Sequence, residues 1–226
     1  MTRIFIIINL LVFSVCFAND DFVCSQSYLS KSKTNEILDS MQKSYSAVFD
    51  LESDFKQVSY LAALDIEEES SGKLWLKKPG LMKWHYQKPE EQFFLINDNT
   101  FWQYNVSEKQ ATISDFKEVA LSDLPTSFLL GAGNIAKDFK VQNSCYDKEK
   151  INYIFNLIPK EIKDELKSVS IIVNKNNDLI AVSVVDNSQN YTNLYLINST
   201  NNTSIKNDLF ALSIPKGVDI NDYREN

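Results

Sequence analysis

Residues 70–112, SSGKLWLKKPGLMKWHYQKPEEQFFLINDNTFWQYNVSEKQAT, decide the fold of this chain. The stretch holds all three tryptophans, and its apolar and polar residues alternate with a period of two, which is typical of β-strands. Lys-Pro-Gly at 78–80 and Asn-Asp-Asn at 97–99 divide it, and these residues reach the backbone angles that tight turns require. The stretch therefore predicts an antiparallel meander with a bulky apolar face that another element must cover.

Strand-like segments continue on both sides of this meander. They are predicted at residues 51–64, 139–142, 151–158, 168–173, 179–185, 191–197 and 209–214. Glutamates 67–69 are predicted to lie in a solvated turn, and the tail at residues 214–219 is predicted to end in a charged, frayed C-terminus. The pattern as a whole predicts a mainly β fold with few helices.

Two helices are predicted around the strands. After Thr34, a residue type that caps helices, apolar residues recur at helical spacing from Ile37 to Phe49. This spacing predicts an amphipathic helix of about four turns whose apolar stripe covers a sheet face. A second, short helix is predicted to start at Pro125 and to end at the glycines of residues 131–133.

The N-terminus has the pattern of a secretory signal peptide. Arg3 precedes an apolar run at residues 4–17, and Ala18 is a small residue at a suitable cleavage position. A membrane anchor is the alternative, but a bilayer span needs about 20 apolar residues. We therefore expect residues 1–18 to be a signal peptide and residues 19–226 to form a single domain.

The predicted mature chain retains two cysteines, Cys24 and Cys145. Disulfides form outside the cytoplasm, so the expected export allows these two residues to pair. A bond between them would close a long loop and could stabilise the fold by about 4 to 5 kcal/mol in the chain-entropy model. Two unpaired thiols remain the alternative.

Composition argues against several classes of function. The net charge of −7 and the absence of a basic stripe disfavour nucleic acid as a partner. With a single histidine, His85, and only five glycines, the chain has no pattern for a metal site, a nucleotide cofactor or a catalytic nucleophile with its base. We expect no cofactor, no metal and no enzymatic activity, and we expect His85 to be a surface strand residue.

Alternation sorts the central strands into two faces. Leu74 and Leu76 share a face that ends at Lys78, and across the turn Met82 and Trp84 share a face. The simplest interpretation of this apolar face is an ordinary core packed by the first helix.

The same residues carry a resemblance to a known family. S-G-K-L-W-L-K-K-P-G-L-M-K-W-H-Y-Q-K-P at 71–89, F-L-I-N-D-N-T-F-W-Q-Y-N at 94–105 and Q-A-T at 110–112 resemble the outer-membrane lipoprotein carrier family LolA. Phe55 and Gln57 after the first helix, residues 125–130, and Pro-x-Gly-Val-Asp at 215–219 add to the resemblance. It covers nearly all of the expected mature chain.

The resemblance implies an open, incomplete antiparallel β-barrel whose concave apolar face is covered by a lid of helices. It implies a monomeric periplasmic chaperone that takes acylated lipoproteins from an inner-membrane ABC-type release complex. Delivery to an outer-membrane lipoprotein receptor would follow. A lipid- or lipoprotein-sensing regulatory module of the same fold is the alternative, and a secreted hydrolase with a lipid pocket is disfavoured because no nucleophile and base are evident.

The resemblance also assigns site residues. The position of the family's lid-contacting arginine falls on Lys78, and the aromatic residue after the turn falls on Met82. A lysine offers fewer fixed donors than an arginine, so we predict a less rigid closed lid than in relatives with arginine. The acyl-binding surface is predicted to comprise Leu74, Leu76, Met82, Trp84, Phe94 and Ile96 on the sheet and Phe128, Leu129 and Leu130 on the lid. A one-residue slip in register would exchange the whole sheet set.

Overall fold

One 12-stranded sheet forms most of the computed structural model, which describes residues 20–25, 27–97, 99–116, 135–161, 166–211 and 213–224. The strand order is β12-β6-β5-β4-β3-β2-β1-β11-β10-β9-β8-β7. The strands are β1 (Asp50–Leu61), β2 (Ile66–Lys77), β3 (Leu81–Lys88), β4 (Gln92–Asn97), β5 (Thr100–Asn105), β6 (Gln110–Asp115), β7 (Phe139–Asp147), β8 (Asn152–Pro159), β9 (Leu166–Asn174), β10 (Leu179–Asp186), β11 (Tyr191–Asn201) and β12 (Asp219–Asp222). The helices are α1 (Lys31–Ser46) and α2 (Ile135–Asp138).

The sheet is open, because β12 and β7 lie at its two ends and do not pair with each other. The predicted fold class, mainly β with an open sheet and few helices, is confirmed. One pairing departs from the antiparallel pattern: β12 runs parallel to β6. The prediction that the tail frays was therefore wrong, since the backbone N–H groups of Asp219 and Tyr223 donate to Lys109 and Ile113.

Helix α1 starts four residues earlier than predicted. Ser30 is its N-cap, with an extended backbone and a hydroxyl that accepts a hydrogen bond from the Lys33 N–H at 3.3 Å. Thr34, the predicted cap, lies in the first turn, and its Oγ1 is 2.6 Å from Ser144 Oγ on β7. Both residue types can cap a helix, so the choice between them depended on this contact with a strand far away in sequence.

Two segments differ from their predicted structure. Glutamates 67–69 lie in β2 and not in a turn, because the β1–β2 ladder continues outward through Tyr60↔Glu67 to Leu61↔Ile66. Backbone pairing does not require apolar side chains, and these glutamates stay exposed. The predicted strand at 209–214 is instead a short 3-10 helix at Asn207–Phe210, and the described residues 211, 213 and 214 are not in a strand.

The outer face of the sheet is covered by segments close to the two termini. Near the N-terminus, Phe22 and Cys24 pack on Ile154, Ile172 and Ala181 of β8, β9 and β10. Near the C-terminus, the 3-10 helix contacts β3 and β4, with Phe210 fully buried. The inner face holds the main core together with α1. Among the residues described, none of the helices has the length and apolar character needed to cross a membrane.

Candidate functional site

Two apolar rows cross the centre of the inner face. Pairing aligns Leu74 with Trp84 and Trp84 with Phe94, and it aligns Leu76 with Met82 and Met82 with Ile96. Successive side chains on a strand point to opposite faces, so residues matched in register share one face. The six sheet residues predicted from the sequence therefore lie together, on three neighbouring strands.

Helix α1 belongs to the same apolar core as this surface. Its Ile37, Leu38 and Met41 are buried in the same cluster as five of the six residues, and Phe94 packs against that cluster from a half-buried position. At about 25 cal/mol per Å² of apolar area, such burial is the main force that holds the helix on the sheet. The surface is therefore covered by packing alone, with no covalent link at the contact.

Aromatic rings surround Trp84. Phe55 on β1 contacts it edge-on with ring centroids 5.2 Å apart, and Tyr86 lies parallel to it at 6.0 Å. The Tyr86 hydroxyl donates to Gln57 Oε1 at 3.0 Å. Phe55 was not among the predicted site residues, although its alternation with Asp54 and Lys56 along β1 could have placed it on the inner face.

Gly72 allows β2 and β3 to approach each other beside these rings. A Cβ at this position would lie 1.9 Å from the backbone oxygen of His85, which no L side chain tolerates. The register shifts between Ser71 and Gly72 at the same place, as expected of a β-bulge. Glycine here is a requirement of strand packing.

Lys78 contacts the end of α1. Its Nζ donates to the backbone oxygen of Tyr45 at 2.9 Å and lies 4.9 Å from the centre of the Tyr45 ring. Its backbone N–H donates to Phe49 at 2.8 Å. A cation at a helix C-terminus is favoured by the helix dipole, and burial lowers the pKa of Lys78 below its ordinary value.

The N-terminal end of α1 is held at β7, the strand at one end of the sheet. Cys24 and Cys145 form a disulfide with Cα atoms 5.7 Å apart. The Leu29 N–H donates to Ser144 at 2.9 Å, and the Tyr146 N–H donates to Ser27 at 3.1 Å. The helix thus has a covalent anchor before its first turn and a polar contact at its last.

The remaining predicted residues stand as follows. Phe128, Leu129 and Leu130, with the predicted helix at Pro125, lie outside the described residues, as does the predicted signal peptide. His85 lies on the outer face of β3, where its ring stacks on Phe93 at 4.1 Å and its Nε2 is 2.9 Å from Glu91 Oε1. Within the described ranges, His, Cys, Asp and Glu side chains form no group of three that could hold a metal.

A groove lined by described residues lies away from the two rows. It has a volume of about 740 Å³ and lies between α1, α2 and β7. Its apolar lining is Leu29, Leu38, Ile135, Phe139 and Val141. The rows themselves lie in the buried core that also contains residues of α1.

Comparison with known proteins gives one consistent family. The family model described as outer membrane lipoprotein carrier protein LolA matches residues 46–213. The chain is 30% identical over 158 residues to the outer-membrane lipoprotein carrier protein of Salmonella typhi, covering 70% of this chain and 74% of the relative. The same figures hold for the protein of that name from Salmonella newport (strain SL254).

A solved structure supports the fold. An uncharacterized conserved protein from Thermus thermophilus superposes with a TM-score of 0.54 at 14% identity, covering 84% of this chain and 99% of the other. At this identity the likeness concerns the fold alone.

Proposed function

The chain belongs to the outer-membrane lipoprotein carrier protein LolA family, and we propose that it is a periplasmic chaperone for lipoproteins. It binds the acyl chains of lipoproteins released from the inner membrane and delivers them to an outer-membrane receptor. The observation that carries the proposal is the pair of apolar rows on the inner face, which are covered by an amphipathic helix and not by the sheet itself.

The physical requirement for such a carrier is an apolar surface away from any membrane. Each buried methylene contributes about 0.8 kcal/mol, so an acyl chain does not leave a bilayer for water unaided. Leu74, Leu76, Met82, Trp84, Phe94 and Ile96 supply a continuous apolar surface. The acyl chains would replace α1 on this surface and bury the same area that the helix buries in the closed form.

Lid movement is the second part of the proposal. Acyl chains compete with Ile37, Leu38 and Met41 for one surface, so the affinity for cargo is reduced by the cost of displacing the helix. Lys78 sets part of that cost through its contact with Tyr45. The disulfide at Cys24 before the helix and the direct connection through residues 47–49 to β1 after it keep a displaced helix tethered to the sheet at both ends.

The partners proposed for this cycle are acylated lipoproteins, an inner-membrane ABC-type release complex that supplies them, and an outer-membrane receptor that accepts them. A carrier between two membranes works in the periplasm and needs an export signal, as residues 1–18 are expected to provide.

A pair of adjacent phenylalanines allows a matched test of the binding surface. Phe94 faces the inner rows, whereas Phe93 stacks on His85 on the outer face, and both are half-buried. Vesicles that carry a fluorescent triacylated lipopeptide are mixed with the purified mature protein, and lipopeptide in the soluble fraction is measured. Phe94→Ser should lower this transfer at least about tenfold, because a large apolar contact is lost, and Phe93→Ser should leave it near the wild-type level.

Equal transfer by both variants, with both still folded by circular dichroism, contradicts the proposed surface.

Delivery is tested separately by depleting the protein in cells and fractionating their membranes. The carrier proposal expects lipoproteins to accumulate in the inner membrane, and continued arrival at the outer membrane overturns it. A sensing module would bind the lipopeptide without this transport defect.

A further inference from the structure

We propose that the indole N–H of Trp84 donates a hydrogen bond to an ester carbonyl of the cargo's acyl groups. The inner face would then recognise acyl esters and not hydrocarbon alone. This inference rests on the proposed carrier function and assigns one specificity-determining contact within it.

The observation behind it is a buried donor without an acceptor. Trp84 is only 4% exposed, and its Nε1 has no hydrogen-bond partner in the described part of the chain. Its neighbours in the row are Leu74 on one side and Phe94 on the other, and neither side chain can accept a hydrogen bond. The donor therefore has no acceptor from its neighbours in the row.

Other polar groups on the inner face do have partners. Ser53, paired with Leu74 across β1 and β2, is fully buried, and its hydroxyl donates to the Ile197 backbone oxygen at 3.1 Å. The Tyr86 hydroxyl donates to Gln57 Oε1. Trp84 thus departs from a face on which buried hydroxyl groups are satisfied.

The unpaired donor is costly when the site is closed. A buried N–H without an acceptor destabilises a protein relative to an apolar group of the same shape. A phenylalanine or leucine could fill the row without that cost. The presence of an indole at this position is explained if the cargo brings an acceptor for its N–H when the surface opens.

The chemistry of an acyl chain limits what the acceptor can be. The methylene chain contains no hydrogen-bond acceptor. The ester carbonyl oxygen that links the chain to the rest of the lipid is the acceptor within reach of an apolar surface. A bond from Trp84 to this oxygen would place the ester at β3 and let the chain extend along the rows. The contact would therefore set the depth to which the cargo enters.

The test compares two lipopeptides that differ only in the carbonyl. One carries ester-linked chains, and the other carries ether-linked chains of the same length. Binding of each is measured for the wild-type protein and for protein in which benzothienylalanine replaces Trp84, which keeps the ring shape and removes the N–H. The wild type should prefer the ester by about five- to tenfold, as one hydrogen bond predicts, and the replacement should abolish this preference while binding of the ether is unchanged.

Trp75, on the outer face of β2, provides the matched control. Benzothienylalanine at Trp75 should leave the ester preference intact. The ester-over-ether preference of the wild type is divided by that of the protein with benzothienylalanine at Trp84. This ratio separates the contribution of the hydrogen bond from differences in hydration between the two lipids. An ester preference that persists without the Trp84 N–H, or its absence in the wild type, overturns the inference.

A second measurement, on the wild-type protein alone, tests the same hydrogen bond. In 15N-labelled protein, the Trp84 indole N–H resonance should move on addition of the ester lipopeptide to the position of a hydrogen-bonded group, and it should not do so with the ether. If neither lipopeptide binds at all, the carrier function fails. If both bind and the resonance responds to them alike, only the hydrogen bond fails.

Discussion

At the scale of single residues, Lys78 is the side chain whose chemistry bears most directly on lid movement. It joins the turn after β2 to the last turn of α1 through Tyr45. Burial raises the pKa of the Tyr45 phenol above its ordinary value, so the ring stays neutral and can face a cation. The ammonium makes this contact with one backbone oxygen, whereas a guanidinium has several donors in a fixed plane.

Replacement of Lys78 should change how tightly α1 is held. Lys78→Met keeps an apolar stem but removes the charge, so hydrogen exchange in the last turn of α1 should be faster by about fivefold, as loss of one hydrogen bond predicts. Lys78→Arg should slow exchange there and increase lipopeptide retention. Lys88→Met, at an exposed lysine of β3, is the control. Unchanged exchange and retention in both Lys78 variants would show that this contact does not govern the lid.

At the scale of elements, α1 differs from a core helix in how its two ends are attached. The Cys24–Cys145 disulfide and the bonds of residues 27–29 to β7 hold its N-terminal end. At its C-terminal end, the contacts are hydrogen bonds from Lys78 to Tyr45 and from Asn202 to Ala47. Polar contacts of this kind contribute about 1 kcal/mol each, and residues 47–49 join this end directly to β1, so the helix is tethered to the sheet at both ends.

Removal of the disulfide should therefore destabilise the fold without changing the cargo surface. The double variant Cys24→Ser with Cys145→Ser opens a loop of sequence separation 121, and its free energy of unfolding should fall by about 2 to 5 kcal/mol. Denaturant titration measures this change. Wild-type protein under reducing conditions should behave as the variant does, and a variant as stable as the oxidised wild type would contradict the anchoring role.

At the scale of the whole molecule, segments near both termini cover the outer face and leave the inner face to α1. Near the N-terminus, Asp21 accepts hydrogen bonds from Lys150 and from the Tyr195 hydroxyl. Near the C-terminus, Lys77 on the outer face donates to the Ile205 backbone at 2.6 Å. The outer face is thus covered by segments near both termini, and the proposed lid movement concerns the inner face alone.

Acid should release the N-terminal segment first. The hydrogen bond from Lys150 lowers the pKa of Asp21 below its ordinary value of 3.8. The carboxylate therefore contributes stability that is complete above 3.8 and is lost as the pH falls through the lower folded-state value. Protection of residues 20–25 from hydrogen exchange, measured relative to the intrinsic exchange rate at each pH, should fall on acidification in the wild type. Asp21→Asn should show low protection already near about pH 7 and little further change in protection with pH, and a change equal to that of the wild type would contradict this assignment.

Sequence periodicity predicted the strands of the central meander and the face on which each residue lies. The six sheet residues of the predicted surface share a face because a period of two leaves only two choices, and the apolar set marks one of them. The covering helix was predicted for the same reason, since its stripe recurs at helical spacing. These features depend on neighbours in sequence.

The features that sequence did not predict depend on contacts between distant segments. Thr34 bonds to Ser144 instead of capping its helix, and the C-terminal tail adds a parallel strand to β6. A tail and a sheet edge far apart in the chain meet only after folding, and local pattern carries no information about that meeting.

By itself, the sequence determined which residues are apolar, their alternation, and thus a mainly β fold with a helix to cover it, while the openness of the sheet was implied by the family resemblance. Only the tertiary structure decided that α1 packs on the two central rows, that Lys78 reaches Tyr45, and that the Trp84 indole is buried without an acceptor. The physical reason is that periodicity fixes the direction of a side chain, whereas its partners are set by which distant elements pack against it.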